Sequence, residues 1–228
     1  MNLDQTAVAL ANSFDSSGAE AQGVIHEVAM RAACGLKTIL VVGPSRHRAA
    51  IDARRADEMG PLADPSARAI VLNSGATEAA AWASRALAAA GVAVAQLDPR
   101  KAAPVTSGHT LDARPRHVDS RWFERTLGKV DVVVVPGGVG VDEDRRPTTL
   151  GETGAALSAV FLADALALEL VVEGDGATPA LDQVPGRKAK LLARDRGVTV
   201  RVALAPTVQA GRFVPGPLAS MSARAVSA

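Results

Sequence analysis

Short valine-rich apolar runs alternate along this chain with longer alanine-rich runs of mixed polarity. The short runs predict strands at residues 6–11, 38–43, 69–73, 92–97, 130–137, 168–174 and 198–204. The longer runs predict helices at residues 17–34, 46–58, 76–90, 119–127, 153–166 and 186–196, with polar connections at 99–118 and 142–152. Valine-dense strands with little polar alternation are typical of parallel sheets that are buried on both faces. The pattern therefore predicts an α/β fold in which helices cover a parallel sheet.

Composition narrows the functional classes. The formal net charge of +1 favours neither a nucleic-acid surface nor a polybasic membrane anchor. The one cysteine, Cys34, excludes an intramolecular disulfide, and the four histidines show no metal-ligand spacing, so we expect no metal site. No basic leader and no apolar run of the ~18–20 residues needed to span a bilayer is visible, which predicts a cytoplasmic protein. We expect a single domain over residues 1–228, with a frayed tail from about residue 216.

The most informative segment is residues 136–166, PGGVGVDEDRRPTTLGETGAALSAVFLADAL. A valine-rich strand ends at Gly137 and Gly138, and the T-T-L-G block at 148–151 leads into an alanine-rich helix. Glycines at a strand end let the backbone approach a ligand, and a helix N-terminus offers free N–H groups to an anion. The segment predicts either a phosphate or carboxylate cradle or a purely structural turn. Dinucleotide-binding, Walker A and nucleophile-elbow spacings do not occur.

The order P-G, G-V-D-E-D and T-T-L-G before a helix of small residues resembles the kinase domain of aspartokinase. The resemblance covers most of residues 70–216, including SGATEAAAWASRALAAAGVAVAQL at 74–97 and LELVVEGDGA at 168–177. It implies an amino-acid-kinase-like, three-layer α/β/α sandwich with a mainly parallel sheet of about eight strands. Ligands of such sheets bind beyond the carboxyl ends of the strands. The family also implies a homodimer, and regulatory modules after the kinase domain that we do not find before Ala228.

The chain departs from the family's pattern at the first strand and at the substrate site. The family carries a lysine and two glycines on its first strand, whereas residues 9–18 read ALANSFDSSG. Phosphoryl transfer depends on electrostatic stabilisation, so losing that cation removes a large part of the catalytic power. The family's substrate-binding glutamate falls at Ala76, and Glu78, two residues along a helix, points about 200° away.

Two further departures follow. After T-T-L-G the family reads R-G-G-S-D, whereas Glu152 replaces the arginine and Ala156 replaces the aspartate. In the nucleotide loop only Asp175 and Gly176 remain. We therefore interpret the chain as a degenerate member without catalytic residues. We expect a pseudo-kinase that needs no cofactor and acts as a non-catalytic partner subunit or a small-ligand-binding protein.

Two alternatives stay open. One is an active ATP-dependent phosphotransferase acting on aspartate or another carboxylate, with magnesium, in which Arg46, Arg114 or Arg146 replaces the lost lysine. The other is an enzyme that uses the same cleft for different chemistry. The partners expected are a second copy or another enzyme subunit, with no nucleic acid and no membrane. The predicted cleft residues are Gly43, Ser45, Ser74, Gly75, Arg114, Gly137, Gly138, Thr148, Thr149, Gly151, Asp175 and Gly176.

Overall fold

The computed structural model of the chain describes residues 6–15, 18–174, 178–204, 207–209 and 212–214. The strands are β1 (Thr6–Phe14), β2 (Lys37–Pro44), β3 (Val94–Gln96), β4 (Val105–Ser107), β5 (Arg114–His117), β6 (Val132–Pro136), β7 (Val139–Val141), β8 (Pro147–Thr149), β9 (Glu169–Gly174), β10 (Val200–Leu204), β11 (Thr207–Gln209) and β12 (Arg212–Val214). The helices are α1 (Ala19–Ala33), α2 (Arg46–Glu58), α3 (Pro65–Leu72), α4 (Ser74–Ala89), α5 (Pro99–Ala102), α6 (Ser120–Leu127), α7 (Gly154–Ala165) and α8 (Arg187–Arg196), with a 3-10 helix at Ala180–Gln183. Each predicted helix is confirmed to within two residues at both ends.

A parallel sheet forms the centre of the molecule. Its strand order is β10-β9-β1-β2-β6-β3, and all five strand pairs are parallel. Val8 of β1 lies opposite Ile39 on one side and Leu170 on the other. The α/β class is thus confirmed, although the described main sheet has six strands and not about eight.

Helices cover both faces of this sheet, because successive strand residues point to opposite sides. Val8 and Leu10 pack into one apolar cluster with α6, α7 and α8, whereas Ala9 and Ala11 pack into another with α1 and α4. Helix α7 is buried along almost its whole length, which explains why it is built from small apolar residues. The three layers predicted from the sequence are therefore present.

A second sheet is formed by segments that lie between main-sheet strands in the sequence. Its order is β5-β4-β7-β8, and it draws strands from both predicted polar connections, 99–118 and 142–152. The prediction of plain connections there was wrong. These strands are only three or four residues long and contain Thr, Ser, Arg and His, so they lack the apolar run that marks a buried strand.

The predicted strand AIVLN (69–73) is also wrong, since these residues lie in and just after α3. Asp64 caps this helix by accepting a hydrogen bond from the Ala67 N–H at 3.1 Å, and Pro65 occupies its first turn. Ile70 is 56% exposed, which a central strand would not allow. Helix α3 runs directly into α4 through Asn73, and this junction borders the site described next.

None of the described helices is both long and apolar enough to cross a membrane. Asp175, Gly176 and the tail from about residue 216 lie outside the described residues.

Candidate functional site

A cavity of about 660 Å³ opens at the carboxyl ends of β1, β2 and β6. This is the edge at which the sequence predicts a cleft, and the volume is typical of a small-molecule site. Its walls come from the end of β1, from α2, from the α3–α4 junction and from the turns that follow β6 and β8. The residues lining it are Asn12, Ser13, Pro44, Arg46, Ala49, Ala50, Ala53, Leu72, Asn73, Ala76, Leu111, Gly137, Gly138, Thr149, Gly151, Glu152, Thr153, Gly154 and Ala155.

The floor of the cavity is the turn after β6, packed against the start of α7. The Gly138 carbonyl accepts a hydrogen bond from the Leu150 N–H at 2.9 Å, and the Gly138 N–H donates to Ser158 Oγ at 3.0 Å. A Cβ on Gly137 would lie 2.6 Å from the Cβ of Ala155, so only glycine lets the turn approach the helix this closely. The P-G-G and T-T-L-G blocks of the sequence are therefore adjacent in space.

One wall is a face of α2. Arg46, Ala49, Ala50 and Ala53 follow the spacing i, i+3, i+4 and i+7, which places them on one side of the helix. All of them are exposed, so three alanines and one arginine border the cavity instead of a packed neighbour. Ser45 caps this helix by accepting a hydrogen bond from the Arg48 N–H at 3.2 Å.

A buried ion pair fixes α2 against α4. The carboxylate of Asp52, which has no exposed surface, accepts from Arg48 Nε at 3.0 Å and from the Gly75 N–H at 2.8 Å. Arg48 also pairs with the carboxylate of Glu78 and donates to Ser74 Oγ at 3.3 Å. A Cβ on Gly75 would lie 2.6 Å from Asp52 Oδ2, so this glycine is needed for the contact between the helices.

The second sheet closes the far side. Asn73 is 7% exposed, and its Nδ2 donates to the Thr148 carbonyl at 2.9 Å, which ties the α3–α4 junction to β8. Thr148 Oγ1 lies 2.9 Å from Thr106 Oγ1 on β4. The Thr148 side chain thus joins two strands, while Leu111 and Thr149 face the cavity.

The predicted cleft residues separate into three groups. Those that line the cavity are Gly137, Gly138, Thr149 and Gly151. The lining does not include Gly43, Ser45, Ser74, Gly75, Arg114 and Thr148, and of these Ser45 and Gly75 line a separate pocket. Asp175 and Gly176 are outside the described residues. The predicted cleft residues did not include the alanine face of α2 or Asn12 and Ser13 at the end of β1; the small-residue spacing on α2 does not by itself distinguish a cavity wall from an ordinary helix face.

Few of the described lining residues are charged. They are Arg46 and Glu152, and no ion pair to either is found within the described chain. Of the three arginines expected to replace a lysine, Arg46 alone reaches the cavity: Arg114 lies exposed on β5, and Arg146 pairs with Asp144. Among the residues described, no cluster of three or more His, Cys, Asp or Glu side chains is arranged to hold a metal ion.

A smaller cavity of about 180 Å³ lies on the other side of the β1 end. Asn12 and Ser13 line both cavities, and Glu20 of α1 and Gln183 line the smaller one only. The end of β1 therefore separates two neighbouring spaces.

Solved structures with the same architecture identify the fold. The aspartate kinase from Synechocystis superposes with a TM-score of 0.67 over 95% of this chain, at 20% identity, and the match covers 40% of that enzyme. This is the amino-acid kinase fold. It is not confined to kinases: N-acetylglutamate synthase from Neisseria gonorrhoeae, solved with coenzyme A and N-acetylglutamate, superposes over 87% of this chain and 53% of that one, with a TM-score of 0.59 and 13% identity.

Sequence similarity adds a relationship to aspartokinases over part of the chain. The aspartokinases of two Helicobacter pylori strains, ATCC 700392 / 26695 and J99 / ATCC 700824, are 34% identical over 100 residues, or 44% of this chain. The matched stretch is 25% of the length of those proteins. No protein-family model matches the chain. The predicted resemblance to aspartokinases is thereby confirmed for part of the chain.

Proposed function

We propose that this chain is a ligand-binding, non-phosphorylating relative of the aspartokinases. The observation that carries the proposal is the end of β1, where the resemblance places a lysine and two glycines. Asn12 and Ser13 line the cavity there, and no lysine is found among the described lining residues. Phosphoryl transfer needs fixed positive charge around the transferred group, and neutral side chains do not provide it.

Other departures from the family's pattern support this proposal. Ala76, at the place of the family's substrate-binding glutamate, contributes only a methyl group to the wall. Glu78 is turned away and pairs with Arg48. Glu152 brings negative charge where the family has an arginine, and Ala156 is buried in the core behind the cavity. These departures support a cleft that binds a small ligand without transferring a phosphoryl group.

Calorimetric titration with ATP and with magnesium-ATP, followed by an aspartate-dependent ADP-release assay, tests this function. A Helicobacter pylori aspartokinase, assayed in parallel, is the positive control. We expect no aspartate-dependent ADP release from this chain. Aspartate-dependent turnover, together with ATP binding well below about 1 mM, would show instead that it is a working kinase. Sedimentation velocity on the same sample tests the expected homodimer.

An active phosphotransferase is the second candidate, and the position of Arg46 favours it. Arg46 lines the large cavity, and the adjoining smaller cavity shares Asn12 and Ser13, so two substrates could meet at the end of β1. Under this candidate, ADP release is lost in Arg46→Ala and retained in Arg55→Ala. Arg55 lies on the same helix and does not line the cavity, so it is a matched control.

A further inference from the structure

Among the described residues that line the large cavity, most are apolar or small, one carries a positive charge and one a negative charge. Its charged lining residues, Arg46 on α2 and Glu152 on the turn before α7, belong to different walls. We propose that the cleft binds an α-amino acid with an apolar side chain, held as a zwitterion between these two residues. The inference deepens the proposal that the cleft is a small-ligand site, and it rests on that proposal.

Arg46 is suited to the ligand's carboxylate. Its guanidinium presents donors in a planar fork that matches a carboxylate in two parallel hydrogen bonds. It is the first residue of α2, and the described residues offer it no ion pair, so an incoming carboxylate displaces no internal partner. Arg48, two positions further on, is already engaged by Asp52 and Glu78.

Glu152 is suited to the ligand's ammonium group. It is exposed and stands between Gly151 and Thr153, and all three residues line the cavity. An ammonium group has three donors and no acceptor capacity, and a carboxylate together with neighbouring hydroxyl and amide oxygens satisfies it. Thr149 and Asn73 supply such oxygens on the same lining.

The rest of the lining selects the ligand's side chain. Ala49, Ala50 and Ala53 face the cavity from α2, and Leu72 and Leu111 line it from the α3–α4 junction and the β4–β5 loop. An apolar side chain placed there removes these methyl groups and itself from water. A second carboxylate, as in aspartate, finds no second cation on the described lining and is desolvated against methyl groups, which is unfavourable.

The test compares four probes by calorimetry and ligand-detected NMR. L-leucine carries the ammonium group, the carboxylate and the apolar side chain of the proposed ligand. 4-Methylpentanoate lacks the ammonium group, 3-methylbutylamine lacks the carboxylate, and L-aspartate replaces the apolar side chain by an acidic one. We expect L-leucine to bind at least about tenfold more tightly than each of the others, because each loses one charge-assisted contact or the apolar contact. Equal or tighter binding of aspartate or of either truncated probe, or no binding of L-leucine, overturns the proposal.

Charge-removing variants locate the binding. We expect the affinity for L-leucine to fall by about tenfold or more in Arg46→Ala and in Glu152→Gln. It should be unchanged in the control variants Arg55→Ala and Glu143→Gln. The two controls remove like charges that do not line the cavity. Arg46→Ala should also reduce the preference for L-leucine over 3-methylbutylamine. Glu152→Gln should reduce the preference for L-leucine over 4-methylpentanoate. Loss of folding alone would not change these preferences selectively. Binding that is unaffected by both variants places the ligand elsewhere and refutes the assignment.

The result of the L-leucine binding experiments can be distinguished from the result of the kinase assay. If L-leucine binds through Arg46 and aspartate-dependent ADP release is also found, the non-phosphorylating function fails and the ligand assignment stands. If neither L-leucine nor any other probe binds and no ADP is released, the ligand assignment fails, and the absence of phosphorylation stands.

Discussion

Replacing Asp52 tests whether one buried carboxylate sets the position of α2 relative to α4. Asp52→Ala removes the acceptor of the Gly75 N–H, now at 2.8 Å, and the partner of Arg48 Nε, now at 3.0 Å. Gly75 is buried, so its N–H is left without an acceptor, at a cost of about 1–3 kcal/mol. Arg48 is 31% exposed and keeps its contact with Glu78, so losing its second partner adds less than breaking a fully buried pair.

Together these terms predict that Asp52→Ala lowers the free energy of unfolding by about 2–4 kcal/mol. Asp52→Asn keeps an oxygen for the Gly75 N–H, but it loses the charge and the acceptor that faces Arg48 Nε, so we expect roughly half of that loss. Glu78→Ala breaks the other ion pair of Arg48, but Glu78 is 66% exposed, and exposed pairs contribute about 0–1 kcal/mol.

Urea denaturation followed by tryptophan fluorescence measures all three variants. Trp82 packs against Phe14 with ring centroids 5.4 Å apart, so its emission reports the integrity of this region. The loss should appear as a lower midpoint at an unchanged slope. If Asp52→Ala stays within about 0.5 kcal/mol of the parent protein, or if Glu78→Ala costs as much, the carboxylate does not hold the two helices as described.

Three further substitutions test other parts of the structure. Gly137→Ala places a Cβ 2.6 Å from the Cβ of Ala155, so we expect a loss of about 1–3 kcal/mol in urea denaturation, and a cost near zero would show that the turn can move away. Thr148→Val breaks the 2.9 Å contact with Thr106 and should cost about 1 kcal/mol while leaving L-leucine binding unchanged; weaker binding would place the hydroxyl in the site. Burial raises the pKa of Glu27, so the folded state holds this proton more tightly, and the resulting stability is present at acid pH and lost as pH rises through the folded-state pKa. Glu27→Gln should therefore melt at a higher temperature than the parent at neutral pH, with the difference vanishing at acid pH; a lower melting temperature at neutral pH would contradict the sign.

The layers of the fold could be predicted from the sequence because local and tertiary signals agree. Valine-dense runs form the central strands, and alanine-rich runs form the helices that cover them. The prediction failed at residues 69–73, where an apolar run was taken for a strand although Asp64 and Pro65 mark a helix start. It failed again for the second sheet, whose strands are too short and too polar to stand out from loops.

Only part of the candidate site could be predicted from the sequence. The floor of the cavity could be predicted, because the close approach of the turn after β6 to α7 requires a glycine at position 137, and the sequence has one there. The alanine wall could not, because Ala49, Ala50 and Ala53 look like ordinary helix residues until the orientation of α2 is known. That orientation depends on a contact between Asp52 and Gly75, which lie 23 positions apart.

The hydrogen bond between Gly75 and Asp52 also explains why position 75 is a glycine. Gly75 directly precedes Ala76, where the resemblance places the family's substrate-binding glutamate, but here the Gly75 N–H donates to the carboxylate of Asp52. Its missing side chain makes room for Asp52 and Arg48. The glycine is therefore explained by helix packing, whether or not a ligand is bound nearby. Function in this cleft has to be argued from groups that the fold leaves facing the cavity without an ion pair, and among the charged residues described these are Arg46 and Glu152.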